Sequence, residues 1–151
     1  MLGGLIALVV VLAASCAAGF ALRRRHGQFR TAAADAGAGP APGSVLSAAE
    51  LGSPLGAQAP LVQFSTEVCA YCGPTRELLA EVAAARDGVA FVEVDAAARM
   101  DLTRRLHVLS TPTVLVLDAA GGIASRASGP VRQADLLAAV GRVLRPAEET
   151  A

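Results

Sequence analysis

The sequence predicts an α/β fold in which helices cover a central sheet. Two observations favour this class. Runs typical of short strands alternate with runs of helical periodicity between residues 44 and 146, and Cys69 and Cys72 stand at the junction of one strand and the following helix. The alternation favours a mainly parallel sheet, to which a final hairpin adds an antiparallel edge. About a hundred residues are enough to bury one hydrophobic core.

Residues 1–22 precede this domain and form a candidate single-pass transmembrane anchor. They carry no charge, and only Ser15 and Cys16 interrupt the apolar run. About 20 such residues span the hydrocarbon core of a bilayer as a helix. A cleaved secretory signal usually begins with a basic residue and has a shorter apolar core, so we favour an anchor. Residues 12–16 loosely resemble a lipoprotein cleavage box, which leaves lipidation of Cys16 as an alternative.

A basic flank and a linker, residues 23–43, follow the predicted anchor. Arg23, Arg24 and Arg25 open this stretch. Because the cytoplasmic flanks of membrane helices carry an excess of basic residues, we expect the domain to lie on the cytoplasmic side of the cell membrane, with an extracytoplasmic domain as the alternative. The rest of the stretch is rich in Ala, Gly and Pro and predicts a flexible tether. Residues 147–151 are expected to form a disordered tail.

The predicted domain, residues 44–146, opens with a short helix. Ser47 and Glu50 have the spacing of a capping box, and Gly52 ends the helix. A strand at 61–65 then leads into the cysteine pair. The helix after it is expected to run through residue 86, with Pro74 in its first turn, where a missing N–H has no cost.

The remaining elements continue the alternation. They are a strand at 89–94, a helix at 100–106, strands at 113–117 and 123–128, and a final helix that opens at 129–130. The strand at 113–117 is almost wholly apolar, as in the centre of a sheet. The strand at 123–128 is more polar and suits an edge.

Charge and cysteine content exclude several classes of function. The chain has 13 basic residues, all of them Arg, against 13 acidic ones, so no basic face for nucleic acid is expected. Three cysteines are too few for a disulfide-stapled scaffold, and a single Cys-x-x-Cys lacks the four ligands of a structural zinc site. A metal site shared by two chains stays open as a minor alternative, and we expect no cofactor.

The cysteine pair predicts thiol–disulfide exchange. At the start of a helix, the Cys69 thiolate gains from unpaired N–H groups and from the positive end of the helix dipole, so it is the expected nucleophile. Cys72, one turn further in, would attack the mixed disulfide that Cys69 forms with a substrate. The alternative is a pair of small core cysteines without chemistry.

Two separated motifs resemble the thioredoxin family in order and spacing. They are the run at 62–72, which ends in the cysteine pair, and Ser110-Thr111-Pro112-Thr113 before the apolar strand; Val94-Asp95 and Gly129 agree with them. The resemblance implies a thioredoxin fold, a central mixed sheet flanked by helices. It also implies that Pro112 is a cis-proline facing the cysteines and that the Thr111 backbone pairs with an extended substrate. With its N-terminal segment, the chain is similar to membrane-anchored bacterial thioredoxins.

The chain departs from the family pattern at three points. Val68 replaces a Trp, Ala70-Tyr71 replaces Gly-Pro, and Gln63 replaces a buried Asp. Gln63 is expected to tune the pKa of the cysteines, since loss of a negative neighbour makes both thiolates easier to form. The alternative for Gln63 is a polar residue that faces solvent.

The expected rim of the site contains Tyr71, an apolar contact for a bound peptide or a simple shield for the sulfurs. Glu67 and Arg76 on the same rim are expected to be solvated, and His107 is expected to lie in a surface loop. Together these features predict a membrane-tethered thiol–disulfide oxidoreductase that reduces or exchanges disulfides of protein substrates, supplied by an unidentified electron donor. The alternative is a redox-sensing or adaptor module with little turnover.

Overall fold

The computed structural model describes residues 2–25, 27–31 and 44–145 of the chain. In chain order the helices are α1 (Leu2–Arg25), α2 (Ala48–Leu51), α3 (Cys72–Ala84), α4 (Met100–Arg105) and α5 (Gln133–Leu144), and the strands are β1 (Arg30–Thr31), β2 (Leu61–Ser65), β3 (Phe91–Asp95), β4 (Thr113–Leu117) and β5 (Ile123–Ser128). Every strand and helix predicted for the domain is present. Residues 32–43 of the expected linker and the expected tail, residues 147–151, lie outside the described part of the chain.

The N-terminal segment is helical over Leu2–Arg25, and the transmembrane anchor expected at residues 1–22 finds no support among the described residues. Within residues 2–25, 27–31 and 44–145, no helix is long and apolar enough to cross a membrane.

Residues 27–31, which the sequence predicted as part of the linker, pack against the domain. Gly27 donates its N–H to Ser128 O at 2.8 Å, and β1 then pairs antiparallel with β5, with Arg30 opposite Arg126. Phe29 packs against the core of the domain. Residues 27–31 are therefore not a free tether, and β5, which the sequence placed at an edge, has a short neighbour on its outer side.

The five described strands form one mixed sheet in the order β1-β5-β4-β2-β3. Of these strands, β2 and β3 are parallel, whereas β4 runs antiparallel to both β2 and β5. The expected mainly parallel sheet is wrong, and the mixed sheet implied by the family resemblance is confirmed. The connection from β3 to β4 contains only one short helix, the six-residue α4. After it, the chain re-enters the sheet at the same end where β3 stops, so β4 runs antiparallel to β2 and β3.

Both faces of the sheet are covered, which explains why β2 and β4 are buried along their whole length. Successive side chains of a strand point to opposite faces. One face packs against α2 and α4, and its largest buried residues are Phe64, Leu115, Leu117, Leu46, Leu102 and Leu106. The other face packs against α3 and α5, through Leu61, Val114, Val116, Leu79, Leu136 and Val140.

A capping box starts α2, as the sequence predicted. Ser47 Oγ accepts a hydrogen bond from the Glu50 backbone at 3.2 Å, and Glu50 Oε2 accepts one from the Ser47 backbone at 2.9 Å. The Glu50 carboxylate also pairs with Arg105 of α4 at 2.5 Å. The hydrogen bond from Arg105 is the largest cause that lowers the pKa of Glu50, to about 2. The box thus anchors α2 to α4 as well as starting the helix.

A buried cation joins β5 to the end of α4. Arg126 is 8% exposed, and its guanidinium donates to Leu106 O at 2.5 Å and to His107 O at 2.7 Å. The carbonyl groups at a helix C-terminus lack intrahelical partners and attract positive charge. His107 itself is exposed in the turn after α4, which confirms the surface position expected for it. No feature of the sequence distinguishes Arg126 from the exposed arginines.

Candidate active site

The cysteine pair lies where β2 passes into α3. The helix begins at Cys72, so Cys69 precedes it by three residues instead of standing at its first position as expected. Cys72 N donates to Cys69 O at 3.3 Å, and Thr75 N donates to Tyr71 O at 3.2 Å. The hydrogen bond from Cys72 to Cys69 joins residues three apart, so the turn before the helix is tighter than a turn of an α-helix. Pro74 falls in the first turn of the helix, as predicted.

The two cysteines form a disulfide, with an S–S distance of 2.02 Å and a Cα–Cα distance of 5.4 Å. The pair is asymmetric in access. Cys69 is half-buried, whereas Cys72 is only 2% exposed. A reagent larger than a few atoms can therefore reach the sulfur of Cys69 more readily than that of Cys72. This excludes a pair of cysteines that are both enclosed in the core.

The segment before β4 forms the other wall of the site. The Thr111–Pro112 peptide bond is cis, and Pro112 is buried. The register of the sheet sets Thr113 opposite Phe64, and Gly129 N donates to Pro112 O at 2.8 Å. Because β2 and β4 are antiparallel neighbours, the end of β2 that leads to Cys69 lies beside the start of β4.

A pair of threonines joins the two walls. Thr66 Oγ1, at the start of the loop that carries Cys69, lies 3.1 Å from Thr111 Oγ1. Either hydroxyl can donate this hydrogen bond. The family resemblance pointed to the backbone of Thr111. The contact of its side chain with Thr66 could not be predicted, because the two residues are far apart along the chain.

Gln63 lies beneath the pair. Its side chain is fully buried in the middle of β2, and its Nε2 donates to Cys72 O at 3.0 Å. The alternative of a solvent-facing Gln63 is therefore wrong. Strand β2 thus carries an uncharged polar group to the inner side of the second cysteine.

An ion pair holds α3 against β3. Arg76 Nε and Nη2 each lie 2.7 Å from an oxygen of Glu93, and Ser65 Oγ donates to the same carboxylate at 2.7 Å. The hydrogen bond from Arg76 is the main cause that lowers the pKa of Glu93. The sequence predicted a solvated Arg76. In the structure its planar guanidinium instead forms a two-point contact with Glu93.

Three apolar side chains near the pair are open to solvent. Val68 is 95% exposed, Leu109 is 90% exposed and Tyr71 is 58% exposed. Val68 and Tyr71 flank Cys69 along the chain, and Leu109 precedes the cis-proline segment. Glu67 is also exposed on this rim. Among the described residues, no group of three or more His, Cys, Asp and Glu side chains could hold a metal ion.

Comparison with solved structures finds proteins with a similar fold. The chain is similar to a chloroplastic thioredoxin z, with 25% identity over 58% of this chain and 79% of that one and a TM-score of 0.52. It also resembles a malarial protein, with 21% identity over 58% and 99% of the two chains and a TM-score of 0.52. Thioredoxin-2 of a malaria parasite, described as a component of the protein secretion machinery, matches with 21% identity over 56% and 82% of the chains and a TM-score of 0.51.

The two malarial structures share the fold with this chain, and at their level of identity nothing more is shown. No curated protein sequence matches the chain. The thioredoxin family model, however, matches residues 48–142, a span that contains β2 to β5, the cysteine pair and the cis-proline segment. Because this match covers more than half of the 151 residues, the chain belongs to the thioredoxin family.

Proposed function

We propose that the protein is a thiol–disulfide oxidoreductase that reduces or exchanges disulfides of protein substrates through Cys69 and Cys72. The observation that supports this most directly is the difference in access within the pair: Cys69 is half-buried and Cys72 is almost fully buried. A protein disulfide is bulky, so the first attack falls to Cys69. Cys72 is shielded from the substrate and reacts only with the sulfur of Cys69 itself, once Cys69 is part of a mixed disulfide.

The reaction proceeds in two exchanges. The Cys69 thiolate attacks one sulfur of the substrate disulfide, that S–S bond breaks, and the other substrate sulfur leaves and takes up a proton. Cys72 then loses its proton and attacks the Cys69 sulfur, which releases the second substrate thiol and closes the 69–72 disulfide. Two electrons pass from the pair to the substrate. A donor of the thiol class must reduce the closed pair before the next turnover.

The exposed side chains around the pair suggest how a substrate is held. Val68 and Tyr71 on one side and Leu109 on the other offer apolar contact area, and apolar rims around a polar reactive centre are typical of sites that bind peptide segments. In this proposal an extended segment of the substrate lies along Thr111 and Pro112, and the Thr111 backbone pairs with it as a further strand. Tyr71 contacts the same segment at the rim.

The test uses the full chain with Cys16→Ala, so that only the pair carries thiols. With dithiothreitol as donor, the parent should reduce insulin disulfides over many turnovers and Cys69→Ser should lose this activity. Cys72→Ser should accumulate a mixed disulfide between Cys69 and an insulin cysteine, detected by mass spectrometry. A parent that forms the pair but does not turn over would instead support a redox-sensing or adaptor module.

The compartment of the domain stays a prediction from the basic flank at 23–25. The same Cys16→Ala protein gives a direct test in whole cells, because Cys69 is then the accessible thiol of the reduced pair. A membrane-impermeant thiol reagent should label it only after cell lysis. Labelling of intact cells would place the domain outside the cytoplasm.

A further inference from the structure

Gln63 has a buried acceptor that the oxidised protein leaves unused. The carbonyl oxygen of Cys72 can only accept a hydrogen bond, so the amide atom that faces it at 3.0 Å must be Nε2. This fixes Oε1 on the other side of the same amide. Among the described residues, Oε1 has no hydrogen-bond partner, although Gln63 is 0% exposed. A buried polar atom without a partner is rare and costly in folded proteins.

Reduction of the disulfide creates a donor on Cys72, the residue whose carbonyl oxygen the Gln63 amide already contacts. In the closed pair the Cys72 sulfur is bonded to the Cys69 sulfur and carries no hydrogen. When two electrons and two protons reduce the pair, the S–S bond breaks and Cys72 gains an S–H group, which is a weak donor. Cys72 is 2% exposed, so its thiol has little access to water and needs an acceptor inside the protein.

We propose that Gln63 Oε1 accepts a hydrogen bond from the Cys72 thiol in the dithiol form, and that this bond shifts the redox equilibrium of the pair toward the dithiol. The inference deepens the proposed oxidoreductase function and rests on it for its biological meaning. The bond exists only after reduction, because the disulfide form has no S–H group. It therefore stabilises one side of the equilibrium, and it holds the proton on Cys72 until the mixed disulfide forms at Cys69.

This role differs from an effect of charge alone. If only the absence of a charge near the sulfurs mattered, any neutral side chain at position 63 would give the same redox equilibrium. Acceptance from Cys72 instead requires an oxygen at the position of Oε1, so an apolar side chain of similar length should fail. Gln63→Met meets this requirement, because it keeps the length of the side chain and lacks the amide oxygen. Gln63→Leu serves as a second variant if the methionine chain is poorly folded.

The first measurement is the equilibrium of the pair with reduced and oxidised glutathione, read by alkylation of free thiols and mass spectrometry in the Cys16→Ala background. A typical net hydrogen-bond contribution predicts that Gln63→Met shifts the equilibrium constant about fivefold toward the disulfide. Ser125→Ala is the matched control. Ser125 Oγ is also buried without a partner among the described residues, but it lies on β5, opposite Val116 near the far end of β4 from Pro112. That variant should keep the parental equilibrium.

The second measurement observes the thiol itself. In a Cys16→Ala, Cys69→Ala chain, Cys72 is the remaining thiol, and its S–H stretching band is read by infrared spectroscopy. The band should move to higher frequency in Gln63→Met, because a free S–H bond is stiffer than a hydrogen-bonded one. An unchanged band together with an unchanged glutathione equilibrium would overturn the inference. Failure of the parent to reduce insulin would overturn the proposed function alone, since the infrared band still decides whether the hydrogen bond exists.

Discussion

Thr66 Oγ1 and Thr111 Oγ1 lie 3.1 Å apart and join the loop that carries Cys69 to the residue before the cis-proline. The two residues come from opposite walls of the site, one after β2 and one before β4. A hydrogen bond between short, partly buried side chains contributes about 1 kcal/mol to stability. Its position makes it more important for the geometry of the site than for the fold.

Thr66→Val should therefore slow insulin reduction severalfold while lowering the free energy of unfolding by only about 1 kcal/mol. The reason is that the loop with Cys69 loses its tie to the opposite wall. Insulin turbidity and urea unfolding of the reduced protein measure the two effects. Thr103→Val is the matched control, because Thr103 Oγ1 donates to Ala96 O at 3.0 Å and does not join the loop with Cys69 to the segment before β4. Equal loss of activity in both variants would show that the threonine contact has no special role.

The pairing of Glu50 with Arg105 predicts a dependence of stability on pH. Since the pKa of Glu50 is lowered from 4.5 to about 2 in the folded protein, its contribution is complete above pH 4.5 and is lost as the pH falls toward 2. The shift alone would correspond to about 3 kcal/mol, but solvent screens this partly exposed pair and reduces the contribution to about 1 kcal/mol.

Glu50→Gln should accordingly lower the free energy of unfolding by about 1 kcal/mol at pH 7. The difference from the parent should shrink toward zero between pH 4.5 and pH 2. Urea unfolding across this range checks the prediction, and Glu81→Gln, at an exposed position of α3, is the control. A difference that stays constant with pH would show that the carboxylate charge contributes nothing.

The buried guanidinium of Arg126 predicts a larger effect on stability. Arg126→Met should lower the free energy of unfolding by about 2 kcal/mol, because it leaves the carbonyl groups of Leu106 and His107 without this donor inside the protein. Arg132→Met, at an exposed position before α5, should change it by less than about 0.5 kcal/mol. Urea unfolding at pH 7 measures both. Similar values for the two variants would argue against a structural role for the buried cation.

Close packing of Gly27 predicts that the docked segment at 27–31 is sensitive to one methyl group. Gly27 has φ of +81°, and an added Cβ would collide with the carbonyl oxygen of Pro130. Gly27→Ala should therefore release β1 from β5 and increase amide hydrogen exchange in residues 27–31, with little change in the rest of the sheet. Gly19→Ala, where an added Cβ meets no atom within 4 Å, should leave exchange in this segment unchanged.

The parts of the fold that the sequence predicts are those determined by local patterns. Capping by Ser47 and Glu50, the buried strand at 113–117 and the turn with two cysteines all depend on residues close together in the chain. Strand direction does not. The antiparallel direction of β4 depends on the end of the sheet at which the chain re-enters after α4, and no local residue pattern indicates that end.

At the site, the sequence predicts the cysteine pair better than the contacts that surround it. Cys69, Cys72 and the buried position of Gln63 follow from the motif and the family resemblance. The bond between Thr66 and Thr111 and the ion pair of Arg76 with Glu93 join segments that come together only in the folded protein. The docking of residues 27–31 likewise depends on β5, which lies far along the chain, so a short polar and Gly-containing stretch reads as linker.

The central place of β4 in the sheet has a consequence for biosynthesis. A ribosome completes both cysteines well before it reaches the strand that inserts between β2 and β5 and delivers Pro112 to their side. In a growing chain the two cysteines are therefore made before the segment at 110–112 that lies beside them in the folded protein. Any shielding of the thiols by that segment begins only when β4 is in place.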